Sequence, residues 1–221
     1  AGIAAATALT KLVFTAQVLK EGSEDEEYGE PPPMEVTVCA SLAALTNLRH
    51  LELDCYSARL APGDAVALSA LTNLTRLMSR GGGSDMGPMQ GRGVAGPAVA
   101  GVAGTLTQLQ HLELDQCDMG DEASMAAVGR LVQLTELRLG GVGGVTLQGL
   151  ELLSRLSRLL QLTLQTSREV TNEALQALGQ RLGVAKVVGV RAPLPKPSVR
   201  YWTFEPVGAG CLEGEVGLEY S

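Results

Sequence analysis

Leucine recurs along this chain in a fixed frame, L-x-x-L-x-L. The frame holds Leu48, Leu51 and Leu53 in "LRHLEL", and Leu109, Leu112 and Leu114 in "LQHLEL". It returns as Leu134, Leu137 and Leu139 in "LTELRL" and as Leu159, Leu162 and Leu164 in "LLQLTL". Variants are Leu9, Leu12 and Phe14; Leu74, Leu77 and Ser79; and a degraded last copy at Val184, Val187 and Gly189. The copies start at 9, 48, 74, 109, 134, 159 and 184, so their spacing settles to 25 residues. Within each copy apolar and polar positions alternate, which predicts a short strand with one apolar face. Helical spacing follows the strands over 64–71, 121–131, 147–156 and 171–182. In the last of these Leu175, Leu178 and Leu182 form one stripe. Asp121 and Thr171 stand where helix N-caps are expected, and Asp64, Asp118 and Glu122 suit capping or the helix dipole.

One strand–helix unit cannot bury its leucine face alone, whereas stacked units share a continuous core. Parallel strands sit about 4.8 Å apart, and packed helices about 8–10 Å apart. The helices are therefore expected on an outer, convex side and the strands in an inner, concave sheet. The fold class predicted is an α/β solenoid of about seven repeats.

The frame, extended as L-x-x-L-x-L-x-x-[NC]-x-L, resembles that of leucine-rich repeats. Cys117 occupies the Asn/Cys slot of "LQHLELDQCDM", and "VTNEALQALGQRL" is similar to the helical half of the intracellular cysteine-containing and ribonuclease-inhibitor-like subclasses. The same slot holds Tyr56, Gly82, Val142 and Ser167 in other copies, which departs from that pattern. The resemblance implies a non-catalytic scaffold that binds a partner protein through its concave face. It also implies two alternatives: the substrate receptor of an F-box-type ubiquitin ligase, or a structural subunit of a large intracellular assembly such as a ciliary one.

The repeat region is expected to span 1–192, with inserts at 20–34 and 80–105 and a C-terminal cap or tail over 193–221. The first insert is acidic and ends in three prolines; the second is rich in glycine. "RAPLPKPSVRYWTFEP" ends the repeat pattern and carries Tyr201, Trp202 and Phe204, aromatics suited to covering the end of the stack. An opening Ala in place of Met suggests a fragment or a processed product, and the chain is expected to be part of a larger chain or assembly.

Aromatic residues make up only 3% of the chain, so its core must be aliphatic. The net charge of −7 disfavours nucleic acid and anionic membranes, which both select basic surfaces. The longest uncharged stretch, 93–110, is broken by glycine and proline and suits no membrane helix. Cys39, Cys55, Cys117 and Cys211 follow neither metal-finger nor disulfide-framework spacing, which favours an intracellular, cytoplasmic setting.

Catalytic chemistry finds no footing in the motifs. H-E-x-x-H, G-x-S-x-G, G-x-G-x-x-G and the phosphate-binding G-x-x-x-x-G-K-[ST] are all absent. The two histidines, His50 and His111, share one slot in different copies but lack a third ligand, so neither a metal nor a cofactor is expected. The informative positions lie between the leucines of each strand. They are Lys11, Val13 and Thr15; His50, Glu52 and Asp54; Arg76, Met78 and Arg80; His111, Glu113 and Asp115; Glu136 and Arg138; and Gln161, Thr163 and Gln165. A basic copy lies between two copies with the same acidic pair. The face reads either as a self-compensated solvated surface or as a mixed-charge docking surface; the partner-binding set proposed from it is His50, Glu52, Asp54, Arg76, Met78, Arg80, His111, Glu113, Asp115, Glu136, Arg138, Gln161 and Gln165.

Overall fold

The computed structural model describes residues 6–16, 34–55, 58–60, 63–81, 102, 105–115, 122–140, 144–167, 169–184, 186–188 and 200–205. Six strands form an all-parallel sheet in chain order: β1 (Lys11–Ala16), β3 (His50–Cys55), β5 (Arg76–Gly81), β6 (His111–Leu114), β7 (Glu136–Leu139) and β8 (Gln161–Thr166). Between β1 and β3 lie β2 (Met34–Val36) and α1 (Cys39–Leu42), and after β3 comes β4 (Ala58–Leu60). β2 and β4 pair in parallel as a separate two-stranded sheet. The later crossovers carry α2 (Glu122–Val128), α3 (Leu147–Leu153) and α4 (Asn172–Leu182).

The leucine frame sets the register. Leu12, Leu51, Leu77, Leu112, Leu137 and Leu162 are successive cross-strand partners, and Phe14, Leu53, Ser79, Leu114, Leu139 and Leu164 form the parallel row. Period-2 alternation fixes this register, because a slip by one residue would turn every leucine out of the core. From Leu51 to Leu164 these leucines are buried, in one cluster with Leu42, Leu68, Met125, Val128, Leu150, Leu153, Leu175 and Leu178 of the intervening helices. Burying each leucine contributes about 2 kcal/mol.

A repeated turn delivers the chain to each strand. Leu48 N–H donates to the Leu45 carbonyl, and the same bond recurs from Leu74 to Leu71, Leu109 to Leu106, Leu134 to Leu131 and Leu159 to Leu156. All ten of these leucines are buried. The polar pair inside the turn reaches across to the preceding copy: Asn47 Nδ2 donates to the Thr7 carbonyl and Asn73 Nδ2 to the Thr46 carbonyl.

Capping decides where the helices begin. Thr171 Oγ1 accepts from Ala174 N–H at the start of α4, as expected, and Thr146 Oγ1 accepts from Gly149 N–H at the start of α3. Asp64 differs from expectation. Its own element is a 3-10 helix, Asp64–Ala70, whose N-cap is Gly63 and makes no side-chain cap bond. The Asp64 carboxylate instead accepts from Val38, Cys39 and Ala40 N–H, at 2.9, 2.9 and 3.1 Å. It therefore caps α1 of the preceding copy. Asp118 and Asp121 lie outside the described residues, as do nearly all of the two inserts and the side chains of Cys55, Cys117 and Cys211.

The seventh copy does not continue the parallel order. Its strand, β9 (Lys186–Val188), is separated from β8 by β10 (Arg200–Glu205), which runs antiparallel to both. The segment that carries Tyr201, Trp202 and Phe204 is thus a strand of the sheet, and its backbone meets the hydrogen-bonding edge that β8 would otherwise expose.

Candidate functional site

The face of the sheet turned away from the leucines carries three rows of side chains in register. The first runs Lys11, His50, Arg76, His111, Glu136 and Gln161. The second runs Val13, Glu52, Met78, Glu113, Arg138 and Thr163. The third begins Thr15, Asp54 and Arg80, and Asp115 continues it past the end of β6, its N–H bonded to the Ser79 carbonyl. Gln165 lies further along, on β8. Every position singled out in the sequence therefore falls on this one surface.

Arg80 organises its centre. One terminal nitrogen of its guanidinium lies 2.9 Å from Glu52 Oε1, and its Nε lies 3.0 Å from Glu113 Oε1. The cation on β5 thus clasps a carboxylate from each neighbouring strand. Arg138 Nε approaches the same Glu113 oxygen at 3.8 Å. Glu113 is only 6% exposed, so this compensation carries weight that a solvated pair would not. The facing His111 ring, and then the Arg80 and Arg138 charges, hold its carboxyl down to about 2 against the opposing effect of burial.

The two histidines sit in matching settings. His50 Nε2 is 3.9 Å from Glu52 Oε2, and His111 Nε2 is 4.0 Å from Glu113 Oε2. At these distances the contacts are electrostatic rather than hydrogen bonds. His111 Nδ1 also pairs with Glu136. Burial, followed by the Lys11 and Arg76 charges, lowers the His50 pKa, while Glu52 acts in the other direction.

Alternation alone predicts outward exposure for all of these positions, but packing divides them. Met78, Asp54, Glu113, Thr163 and Gln165 are buried on the sheet face, whereas Lys11, Val13, Thr15, Arg138 and Gln161 are exposed. Lys11, Val13 and Thr15 lie on the edge strand β1, whereas strands about 4.8 Å away on both sides shield Asp54, Met78 and Glu113. Burial followed by the nearby Glu52 charge raises the Asp54 carboxyl, and one of its oxygens, Oδ1, has no hydrogen-bond partner. Burial raises the Asp115 carboxyl as well. The specific clasp of Glu52 and Glu113 by Arg80 was not legible from the residue list. Its signal was a basic copy placed between two acidic ones.

Among the described residues no group of three or more His, Cys, Asp or Glu side chains could hold a metal ion. Arg76 stands between His50 and His111 in the row, and its cation disfavours a shared metal there. No described helix is long and apolar enough to cross a membrane. No protein-family model matches the chain, and comparison with curated proteins yields no match.

Proposed function

We propose that this chain is a leucine-rich-repeat solenoid acting as an intracellular, non-catalytic scaffold, and that it binds a partner protein through the polar face of its sheet. The observation that carries the reading is the in-register array itself. Three rows cross up to six parallel strands, a span of about 24 Å at the usual strand spacing. Stacked repeats use such surfaces for extended contacts. The Arg80 clasp supports the same reading, because side chains already held in place lose less entropy when a partner docks. The exposed Lys11, Val13, Arg138 and Gln161 around the clasp are the positions free to meet a partner.

The test is capture from native extract with cross-linking. The wild-type chain is compared with a sheet-face variant carrying Lys11→Glu, Arg138→Glu and Gln161→Lys, and with an outer variant carrying Val66→Ser and Gln176→Glu. All five positions are exposed, so each variant should keep the wild-type circular dichroism. The expected result is a protein lost from the sheet-face variant and kept by the outer one. Equal recovery by all three baits overturns the reading.

A further inference from the structure

We propose that Lys11, His50 and Arg76 form an anion-binding strip that seats the carboxylates of an acidic peptide segment from the partner. This deepens the scaffold reading and rests on it. The three residues are successive partners across β1, β3 and β5. They contrast with the other cationic side chains of the face, which meet carboxylates: Arg80 meets Glu52 and Glu113, Arg138 approaches Glu113, and His111 meets Glu136. Among the described residues neither Lys11 nor Arg76 meets a carboxylate. Arg76 Nε donates only to the Met78 thioether at 3.3 Å, a weak acceptor that leaves the outer guanidinium nitrogens unengaged. The carboxylate nearest His50, Glu52, is already held by Arg80, and His50 Nε2 is buried with no hydrogen-bond partner.

The spacing selects the ligand. Lys11 and Arg76 stand two strands apart, about 9–10 Å between backbones. Side chains at i and i+2 of an extended peptide are about 7 Å apart, and the long Lys and Arg side chains span the difference. The Arg76 fork suits a carboxylate, and Lys11 can meet a second as a point charge. A nucleic-acid backbone fits poorly, because it is charged at every nucleotide and some phosphates would face Glu52 and Glu113 in the adjacent row, whereas a peptide can place neutral side chains there.

The charged and titratable groups around His50 are Lys11 on β1, Glu52 on its own strand, Arg76 on β5 and His111 on β6. Burial, Lys11, Arg76 and His111 hold its pKa down, and Glu52 pulls it up. A bound carboxylate adds to the Glu52 side of that balance. Binding therefore takes up a proton and tightens on mild acidification.

The experiment is fluorescence anisotropy of the full chain with a labelled peptide of about eight residues alternating Glu and Ser, beside the same peptide with Gln for Glu. The Glu peptide is expected to bind and the Gln peptide not to. Arg76→Gln should weaken binding about tenfold, as loss of a charge-assisted contact does. The exposed Lys11→Gln should weaken it severalfold and cannot disturb the core, while Val66→Ser, exposed on the 3-10 helix, should leave it unchanged. Lowering the pH from about 7.5 to about 6 should tighten binding, and His50→Gln should abolish that change. Four outcomes overturn the strip: no binding of the Glu peptide, equal binding of both peptides, affinity unchanged in both Lys11→Gln and Arg76→Gln, or displacement by inorganic phosphate as effective as by free peptide. If the strip fails while the captured protein still depends on Arg138 and Gln161, the scaffold reading stands. If the peptide binds as expected but capture ignores the sheet face, the scaffold reading fails, and with it the assignment of the strip to a partner segment, while the anion-binding site itself stands.

Discussion

Arg80 Nε, on one strand, donates to the buried Glu113 carboxylate of the next at 3.0 Å, and this bond ties together two copies separated by the long second insert. Removing the cation alone would leave Glu113 charged, buried and short of partners. Arg80→Met should therefore cost about 2 kcal/mol in urea denaturation, less than a fully buried pair because Arg80 remains partly exposed. The double variant Arg80→Met, Glu113→Leu should cost less than the sum of its singles by about 1 kcal/mol or more. Strict additivity would show that the pair contributes nothing.

Acid should destabilise the fold through Glu113. Its carboxyl falls from 4.5 to about 2 on folding, so the folded state prefers the ionised form. That preference is fully present above about pH 5 and disappears as pH falls through about 2, a loss on the order of 3 kcal/mol. Asp54 and Asp115 act in the opposite sense, because their carboxyls are raised and protonation favours the folded form. Urea midpoints measured across this range should fall with pH in the wild type. In Glu113→Gln the fall should be much smaller, what remains coming from Asp64, whose carboxyl is also held low.

The Asp64 cap predicts an effect away from its own helix. Burial opposes ionisation of this carboxylate, but the backbone donors at Cys39, Val38 and Ala40 outweigh it and hold its pKa below the ordinary value. Asp64→Ala removes the acceptor of all three and should cost about 1–2 kcal/mol. Hydrogen exchange should quicken at Val38, Cys39 and Ala40, with Asp64→Asn falling between the two. Loss of protection confined to 64–70 would contradict the assignment.

Gly144 and Gly183 share a left-handed backbone, φ 66 and 67, but not a neighbourhood. A Cβ on Gly183 would meet nothing within 4 Å, so Gly183→Ala should cost about 1 kcal/mol, the backbone term alone. A Cβ on Gly144 would collide with the Thr166 carbonyl carbon, where Val145 and Thr166 form a parallel bridge. Gly144→Ala adds that collision and should cost about 3 kcal/mol or more. Equal melting temperatures for the two variants would show that the close approach is unimportant.

The leucine frame made most of the sheet legible. Two inward positions per strand, one turn before each and a spacing near 25 residues leave one register that buries the frame leucines from Leu51 to Leu164. The α4 boundaries were equally plain, with Thr171 at one end and Gly183 at the other. By contrast α1 was not anticipated: "CASL" is too short for a helical period to register, and the carboxylate that caps it comes from 25 residues further along. The polar face was legible as a list of positions but not as a set of contacts.

Local alternation and repetition, which need only near neighbours in the chain, determined the strands, their apolar side and the six-strand parallel order. Tertiary structure decided what depends on distant residues meeting: the Arg80 clasp, the Asp64 cap and the antiparallel entry of β10 between β8 and β9. The physical reason is that periodicity specifies which way a side chain points, whereas partners, burial and pKa arise only once separate strands stand about 4.8 Å apart.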